Sequence, residues 1–416
     1  MITAELIHNS FLFFFAITLI IKVFLLILNI AHIKGNYESV PEEFSEQISL
    51  SEHQKAQKYT ITKNKFSIIS IAINGAILLI WLETPALSWL FDMTLKWFET
   101  PVLQGVGFLL SFILIGALLA IPESLYSNFV IEEKYGFNKM TPAIFVKDFF
   151  KQIALTLIIG VPFLWLIVKI LYSLGTYWWF YAWAFIMVFQ FIMIWAYPKF
   201  IAPLFNKFSK LDNEELVGEV EALAKKIDLN FKDYYVMNAS IRSSHGNAYF
   251  TGFGKNKRVV FFDTLLSTLN TSEVISVLAH ELGHFKKKHI FKQIIMSAGF
   301  LLLGLFVLGQ LYNNPEFFEA FGFTIVSPYL ALLLFVLISS YYTFLLTPMF
   351  SWLSRKNEFE ADEFAATYAK ASDLITALLK MYKDNSSSLT PHPAFSKFYY
   401  SHPPAKERID FLKSFS

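Results

Sequence analysis

Long apolar runs alternate with polar stretches along this chain, and the runs have membrane length. Phe11 to Ile30 is apolar except for Lys22 and Asn29. Phe66–Leu82, Val102–Ile121, Ile153–Leu174, Tyr177–Tyr197, Ile290–Leu311 and Pro328–Phe350 repeat the pattern, and the second could extend through the amphipathic Leu87–Phe91. A helix crosses the hydrocarbon core with about 17–25 such residues. No basic residue precedes the first run and no small-residue cleavage site follows it, so it reads as a retained span rather than a signal peptide. Lys22 at mid-depth either faces a wet cavity or a carboxylate, or snorkels to the interface. Trp178 and Trp179, at the turn between the fourth and fifth runs, sit where an aromatic belt is expected.

The polar stretches divide the chain into 1–198 with five spans, a loop 199–289, two further spans in 290–350, and a tail 351–416. His32–Lys65 reads as a charge-rich loop, helical in part, and Pro122–Lys151 as a polar loop. Within 199–289 the pattern predicts a helix Asn213–Ile227, capped by Asp212 with Glu215 completing the box and Leu216, Val220, Leu223 and Ile227 on one face. Strands are expected at Tyr234–Met237, Ala248–Phe253 and Arg258–Phe262, the last two flanking a hairpin turn at Gly254-Lys255-Asn256. A second helix follows, with Asn270 as N-cap, Glu273 as its capping partner, and Val274, Val277, Leu278 and Leu282 as a buried stripe. The tail reads as polar and mostly helical. The expected fold is an all-α polytopic membrane protein with seven transmembrane helices and a cap that contains one short β-hairpin.

Charge orients this arrangement. The N-terminal stub and Tyr312–Ser327 carry no Lys or Arg, and Asp92–Thr100 carries only Lys96. Nearly all the others fall in the stretches beginning at His32, Pro122 and Pro198 and in the tail. With seven spans those four lie on one side, and the positive-inside rule makes that side cytoplasmic. The expectation is a multi-pass protein of the endoplasmic reticulum or a bacterial inner membrane, its loop 199–289 and C-terminus in the cytoplasm.

Composition agrees: 55% of residues are hydrophobic and 16% charged, against about 25% charged in soluble domains. A net charge of +2, with no basic cluster interleaved with stacking aromatics, argues against nucleic acid as a partner. The absence of cysteine removes disulfides, a thiol nucleophile and thiolate ligands. Any metal must be held by His, Asp or Glu.

Such a set is present. VLAHELGHFKKKH places His280, Glu281 and His284 in the order His-Glu-x-x-His. Residues four apart on a helix lie about 40° apart on one face, so both imidazoles can hold one Zn²⁺. Such an ion acidifies a bound water, and Glu281 is placed to take its proton. A third ligand on the same side of the membrane is offered by SRKNEFEADEFA in the tail. Glu358 is one candidate and Glu360 and Glu363 are the others; Glu360 lies about 200° from Glu358, so those two cannot both serve. Asp362 shares the face of Glu358 and can accept the free N–H of a ligand imidazole.

These motifs, together with IEEKYGFNKMTP, RSSHGNAYFTGFGKNKRVVFFDTLL and SHPPAKERI in this order, resemble the type I CAAX prenyl protease family, integral-membrane zinc endopeptidases that include the yeast a-factor-converting enzyme. The resemblance runs from about Glu132 to the C-terminus. It implies one Zn²⁺ held by His280, His284 and Glu358, with Glu281 as the base. It implies that Asp362 orients a ligand or donates a proton, that His402 and Arg408 reach the site from the tail, and that Asn247, Ala248 and Tyr249 belong to a substrate-lining strand. By chemistry His402 could stabilise a developing oxyanion, and Arg408 could pair with Asp362. The implied architecture is a helix barrel around an internal chamber, which would explain Lys22, Asn74 and Lys169 within spans. The implied substrate is a peptide or protein ending in Cys-a-a-X, prenylated on that Cys. The same chemistry without need for a prenyl group would serve membrane-protein quality control. A transporter or scaffold with a structural metal is the remaining alternative; the lack of internal repeats, the position of the motif outside the spans and the intact Glu281 argue against it. Oligomeric state is not legible. His8, His32, His53, His245, His289 and His392 read as structural or solvated.

Overall fold

The seven apolar runs are helices that reach well past the apolar residues. The computed structural model describes residues 3–229, 231, 233–251 and 258–415. The spans lie in Ala4–Gly35, Leu50–Glu83, Pro101–Tyr135, Pro142–Ser173, Gly175–Phe205, His289–Leu311 and Pro328–Tyr368. Residues 32–65 are therefore not mainly a loop. A Ser49–Glu52 capping box starts the second helix at Leu50, and its polar first half runs into the apolar run without a break. It stops at Thr84, which the following Pro85 drives into extended backbone, so Leu87–Phe91 belongs to a separate helix, Ala86–Trp97. The seventh span likewise continues through a single 3₁₀ turn into Thr347–Tyr368. Glu358 thus stands on the rigid extension of a membrane helix.

One apolar core joins the spans at the end remote from the tail. Phe11, Leu82, Phe108, Val168, Leu308 and Leu330 meet there, with Phe91 and Phe317 from the connecting helices. Away from this plug the spans bury little of themselves in the protein; even the seventh has only 33% of its apolar window inside. A cavity of about 420 Å³ opens between them, lined by Lys22, Lys63, Ser67, Ser70, Asn74 and Glu123. Asn74 donates to Glu123 at 3.2 Å, and the Lys22 ammonium lies 5.1 Å from the Phe344 ring centre. Polar groups costly in lipid are tolerable where they line such a cavity and pair with one another. Lys169 departs from the expectation. It is exposed, with its ammonium 4.7 Å from the Trp165 ring centre and outside that lining.

The cap holds a four-stranded sheet rather than a lone hairpin. Its strands are β1 (Phe208–Lys210), β2 (Asp233–Met237), β3 (Ala248–Thr251) and β4 (Arg258–Phe262), in the order β1-β2-β4-β3. β2 and β4 run parallel; the other pairs are antiparallel. β1 is too short to show a period. The expected turn at 254–256 lies outside the described residues. The helix Glu214–Lys226 is capped by Asn213, whose Oδ1 accepts from the Leu216 N–H at 3.0 Å, rather than by Asp212.

Helix Thr271–Lys286 has the expected Asn270–Glu273 capping box. Val220 and Leu223 of Glu214–Lys226, Val259 and Phe261 of β4, and Leu278 and Leu282 of this helix form one core. That packing fixes the helix against the sheet and turns the opposite face, with His280 and His284, toward the tail.

Candidate metal centre

His280 and His284 are one helical turn apart, and their Nε2 atoms are 3.2 Å apart. The helix Thr347–Tyr368 crosses them closely. A β-carbon built on Gly283 would lie 3.1 Å from Ala361 Cα and from Phe364 Cβ, so glycine is what allows this approach. Glu358 then reaches both imidazoles: Oε2 is 3.4 Å from His280 Nε2, and Oε1 is 3.3 Å from His284 Nε2. Ligands about 2.0–2.2 Å from a tetrahedral ion are separated by about 3.3–3.5 Å. The observed separations, 3.2 Å between the imidazoles and 3.3–3.4 Å from each imidazole to one or other carboxylate oxygen, are close to that spacing. Glu358 Oε2 is also buried without a hydrogen-bond partner among the described residues. An unpartnered buried carboxylate oxygen is costly, and an ion between the three groups would supply the missing partner. The residues present fit a divalent metal of the kind that accepts two nitrogens and one oxygen.

Both imidazoles are oriented from behind. His280 Nδ1 donates to Asp362 Oδ1 at 2.8 Å, which leaves Nε2 to face the metal position. Arg408, on the tail helix Ala405–Lys413, holds Asp362 through Nε at 2.9 Å and Nη2 at 2.5 Å. Burial opposes charge on His280, but the hydrogen bond to Asp362 and the neighbouring Glu358 carboxylate outweigh it and push its pKa up to about 9. A metal arriving at neutral pH therefore displaces a proton.

His284 has a chain of its own. Its Nδ1 is 3.0 Å from His289 Nδ1, and His289 Nε2 is 3.0 Å from Glu360 Oε2. Glu360 accepts the Nε2–H of His289, so His289 Nδ1 is the acceptor and His284 Nδ1–H the donor. That tautomer turns His284 Nε2 toward the metal position. From sequence His289, behind three lysines at the membrane boundary, reads as structural or solvated; on a straight helix it would also lie about 140° away from His284. Lys288, at φ +58°, breaks the helix and folds His289 back. His289→Ala should lower metal affinity about 10- to 100-fold, read by competition against a chromogenic chelator; unchanged affinity would remove the orienting role.

The other predicted residues separate. Glu360 is thus engaged with His289 and Glu363 is exposed, so neither meets the imidazole pair. Asp362 is fully buried behind His280, placed to orient and not to touch a substrate. Glu281 lines a cleft of about 760 Å³ beside His280 and makes no hydrogen bond or ion pair among the described residues. His402 lines the same cleft, 62% exposed, with Nε2 at 3.4 Å from Glu358 Oε1. Asn247 lines it too, but Ala248 is buried in the core under the sheet, and Tyr249 points to the opposite face, among Val260, Tyr235 and Phe208. Alternation along a strand separates them. β3, which begins directly after Asn247, is the edge strand of the sheet.

Further cleft residues include two from the second helix and His245, which from sequence reads as structural or solvated. Tyr59 and Lys63 come from the polar half of the second helix. His245 is stacked on Phe137 at 4.6 Å, and its Nδ1 is 2.9 Å from Asn385 Oδ1.

Two family models together match nearly the whole chain. One, described as CAAX prenyl protease N-terminal with five membrane helices, matches residues 29–207, and the other, peptidase family M48, matches residues 210–416. The human CAAX prenyl protease 1 homolog is 37% identical over 422 residues, covering 90% of this chain and 89% of that one. CAAX prenyl protease 1 of Saccharomyces cerevisiae is 33% identical, covering 90% and 88%. The crystal structure of Saccharomyces mikatae Ste24p superposes with a TM-score of 0.92 at 30% identity, over 99% of both chains.

Proposed function

The chain belongs to the CAAX prenyl protease family of M48 metallopeptidases, and from that premise we propose that it is a zinc endopeptidase cutting prenylated proteins near a C-terminal Cys-a-a-X sequence. The observation that carries this reading is the triangle of His280, His284 and Glu358 donors at tetrahedral spacing, with the unengaged Glu281 carboxylate in the adjoining cleft.

A Zn²⁺ held by these three groups supplies Lewis acidity toward water and toward the peptide carbonyl. The protein supplies the rest. An extended peptide adds along the free edge of β3, which sets the register of its carbonyls. Asn247, at the start of that edge, faces the cleft and is placed to hydrogen-bond the peptide backbone. Glu281 takes a proton from the attacking water and passes it to the leaving amine. His402 donates a hydrogen bond as negative charge grows on the carbonyl oxygen. Asp362 and Arg408 hold His280 in the required tautomer. The metal centre lies on the side that carries nearly all the Lys and Arg of the loops, which supports a cytoplasmic active site in the endoplasmic reticulum or a bacterial inner membrane.

The test is mass-spectrometric cleavage of one Cys-a-a-X peptide, with and without farnesyl, by the purified protein. Release of the tripeptide from the farnesylated form alone is the expected result. Equal cleavage of both forms, or cuts at scattered positions, would replace this reading with a general membrane-associated peptidase.

A further inference from the structure

One cation in the cleft has no part in the chemistry above. Lys63 lines the cleft together with His280 and Glu281, and it also lines the cavity between the spans; it is the one residue shared by those two linings. The other basic groups of the cleft are committed. Arg408 is buried on Asp362, His280 faces the metal position, His402 lies against Glu358, and His245 is stacked on Phe137 and bonded to Asn385.

Lys63 is held in place without being used up. Its ammonium donates to the Tyr59 hydroxyl oxygen at 3.2 Å, and Tyr59 donates in turn to Glu132 Oε1 at 2.6 Å. Glu132 itself is 3.8 Å from the ammonium, too far for a direct hydrogen bond. An ammonium carries three donors; one is engaged here, and the side chain is 51% exposed. The brace joins the second helix to the π-helical stretch Ser127–Glu132, so the position of the charge is set by two membrane helices.

We propose that Lys63, braced by Tyr59 and Glu132, docks the free C-terminal carboxylate of the substrate. This rests on the reading that the scissile bond lies near a chain end. An endopeptidase that works there needs a group that tells an end from an internal segment. The distinguishing feature of the end is its α-carboxylate, ionised at neutral pH with a pKa of about 3.3–3.7. Three residues beyond the scissile bond span at most about 10–11 Å. A cation in the same cleft as the metal site, reached by a tail of that length, would convert recognition of the end into a choice of cut position. Lysine suits this task as a point charge for a carboxylate arriving from varied side-chain contexts.

The experiment compares one farnesylated Cys-a-a-X peptide as the free acid and as the C-terminal amide. The full-length wild type, Lys63→Met and Lys63→Arg are assayed, with kcat/KM measured for each pair. A charge-assisted hydrogen bond predicts that the wild type prefers the acid by about tenfold or more. Lys63→Met should bring that ratio toward one, and Lys63→Arg should restore most of it. Equal wild-type rates on acid and amide would overturn the proposal and leave the prenyl protease reading standing; this comparison requires no variant to fold. A parallel fall on both peptides in Lys63→Met, with the ratio kept, would make Lys63 a structural brace only and also overturn it. Failure of the wild type to cut either peptide would remove the underlying reading, and the proposal with it.

Discussion

Glu281→Gln should abolish peptide hydrolysis and leave the metal in place. The carboxylate lies one residue from His280 on the same helix, faces the cleft, and makes no hydrogen bond or ion pair among the described residues. It is not one of the three groups that close around the metal position. Glutamine keeps its size and its capacity to accept one hydrogen bond but cannot take up a proton. Loss of a general base costs about 10²- to 10⁴-fold in rate, and here the same group also returns the proton to the leaving amine, so the larger figure is expected. Tripeptide release gives the rate, elemental analysis gives the metal content, and thermal unfolding reports on the fold. A variant that turned over at the wild-type rate would end the assignment. A variant that lost its metal would show that Glu281 supports the site rather than acting in the reaction.

The parts of this molecule that the sequence declares are those with local contrast. Seven apolar runs against polar neighbours mark seven spans, because lipid imposes one rule on every face of a helix. His-Glu-x-x-His declares itself because its members share one helical turn. Contrast fails where a helix buries polar side chains. The buried face of residues 50–65 carries His53, Gln57, Tyr59 and Asn64, the first three bonded to Asn36, Thr390 and Glu132, so no apolar stripe marks what is half of a 34-residue helix. Tyr59 and Lys63 were hidden with it. His289 was hidden by a single left-handed residue, Lys288, which breaks the period that sequence arguments assume. Tyr249 shows the reverse case: Asn247 precedes β3 and lines the cleft, whereas inside the strand Ala248 and Tyr249 alternate between the core under the sheet and its far face. The choice of Glu358 over Glu360 and Glu363 needed the crossing of two helices at Gly283, which no local pattern encodes.

Removing the carboxylate of Asp362 should be the most destabilising single change at the site. Asp362 is fully buried and Arg408 is 5% exposed, and the pair is bidentate. Asp362→Leu leaves a buried guanidinium without its bidentate partner, with only the Glu358 carboxylate, 3.8 Å from Nη1, as counter-charge among the described residues. Breaking a buried pair by deleting one partner costs about 3–5 kcal/mol. The same change takes from His280 the acceptor that fixes its tautomer, which should lower metal affinity about 10- to 100-fold. Because one residue serves both purposes, the single variant cannot separate them, and the pair Asp362→Leu with Arg408→Met can. Apolar replacement of a whole buried ion pair is often neutral or stabilising, so the double variant should regain much of the lost unfolding temperature, measured after chelation so that metal binding does not contribute. It should not regain metal affinity, because leucine cannot accept the His280 Nδ1–H. If stability and affinity returned together, the orienting role of Asp362 would fall and the ion pair would be a packing element alone. If Asp362→Leu unfolded at the wild-type temperature, the pair would not be what docks the tail helix on the metal centre, and the apolar contacts of Ile409 and Leu412, both buried on that helix, would have to hold it.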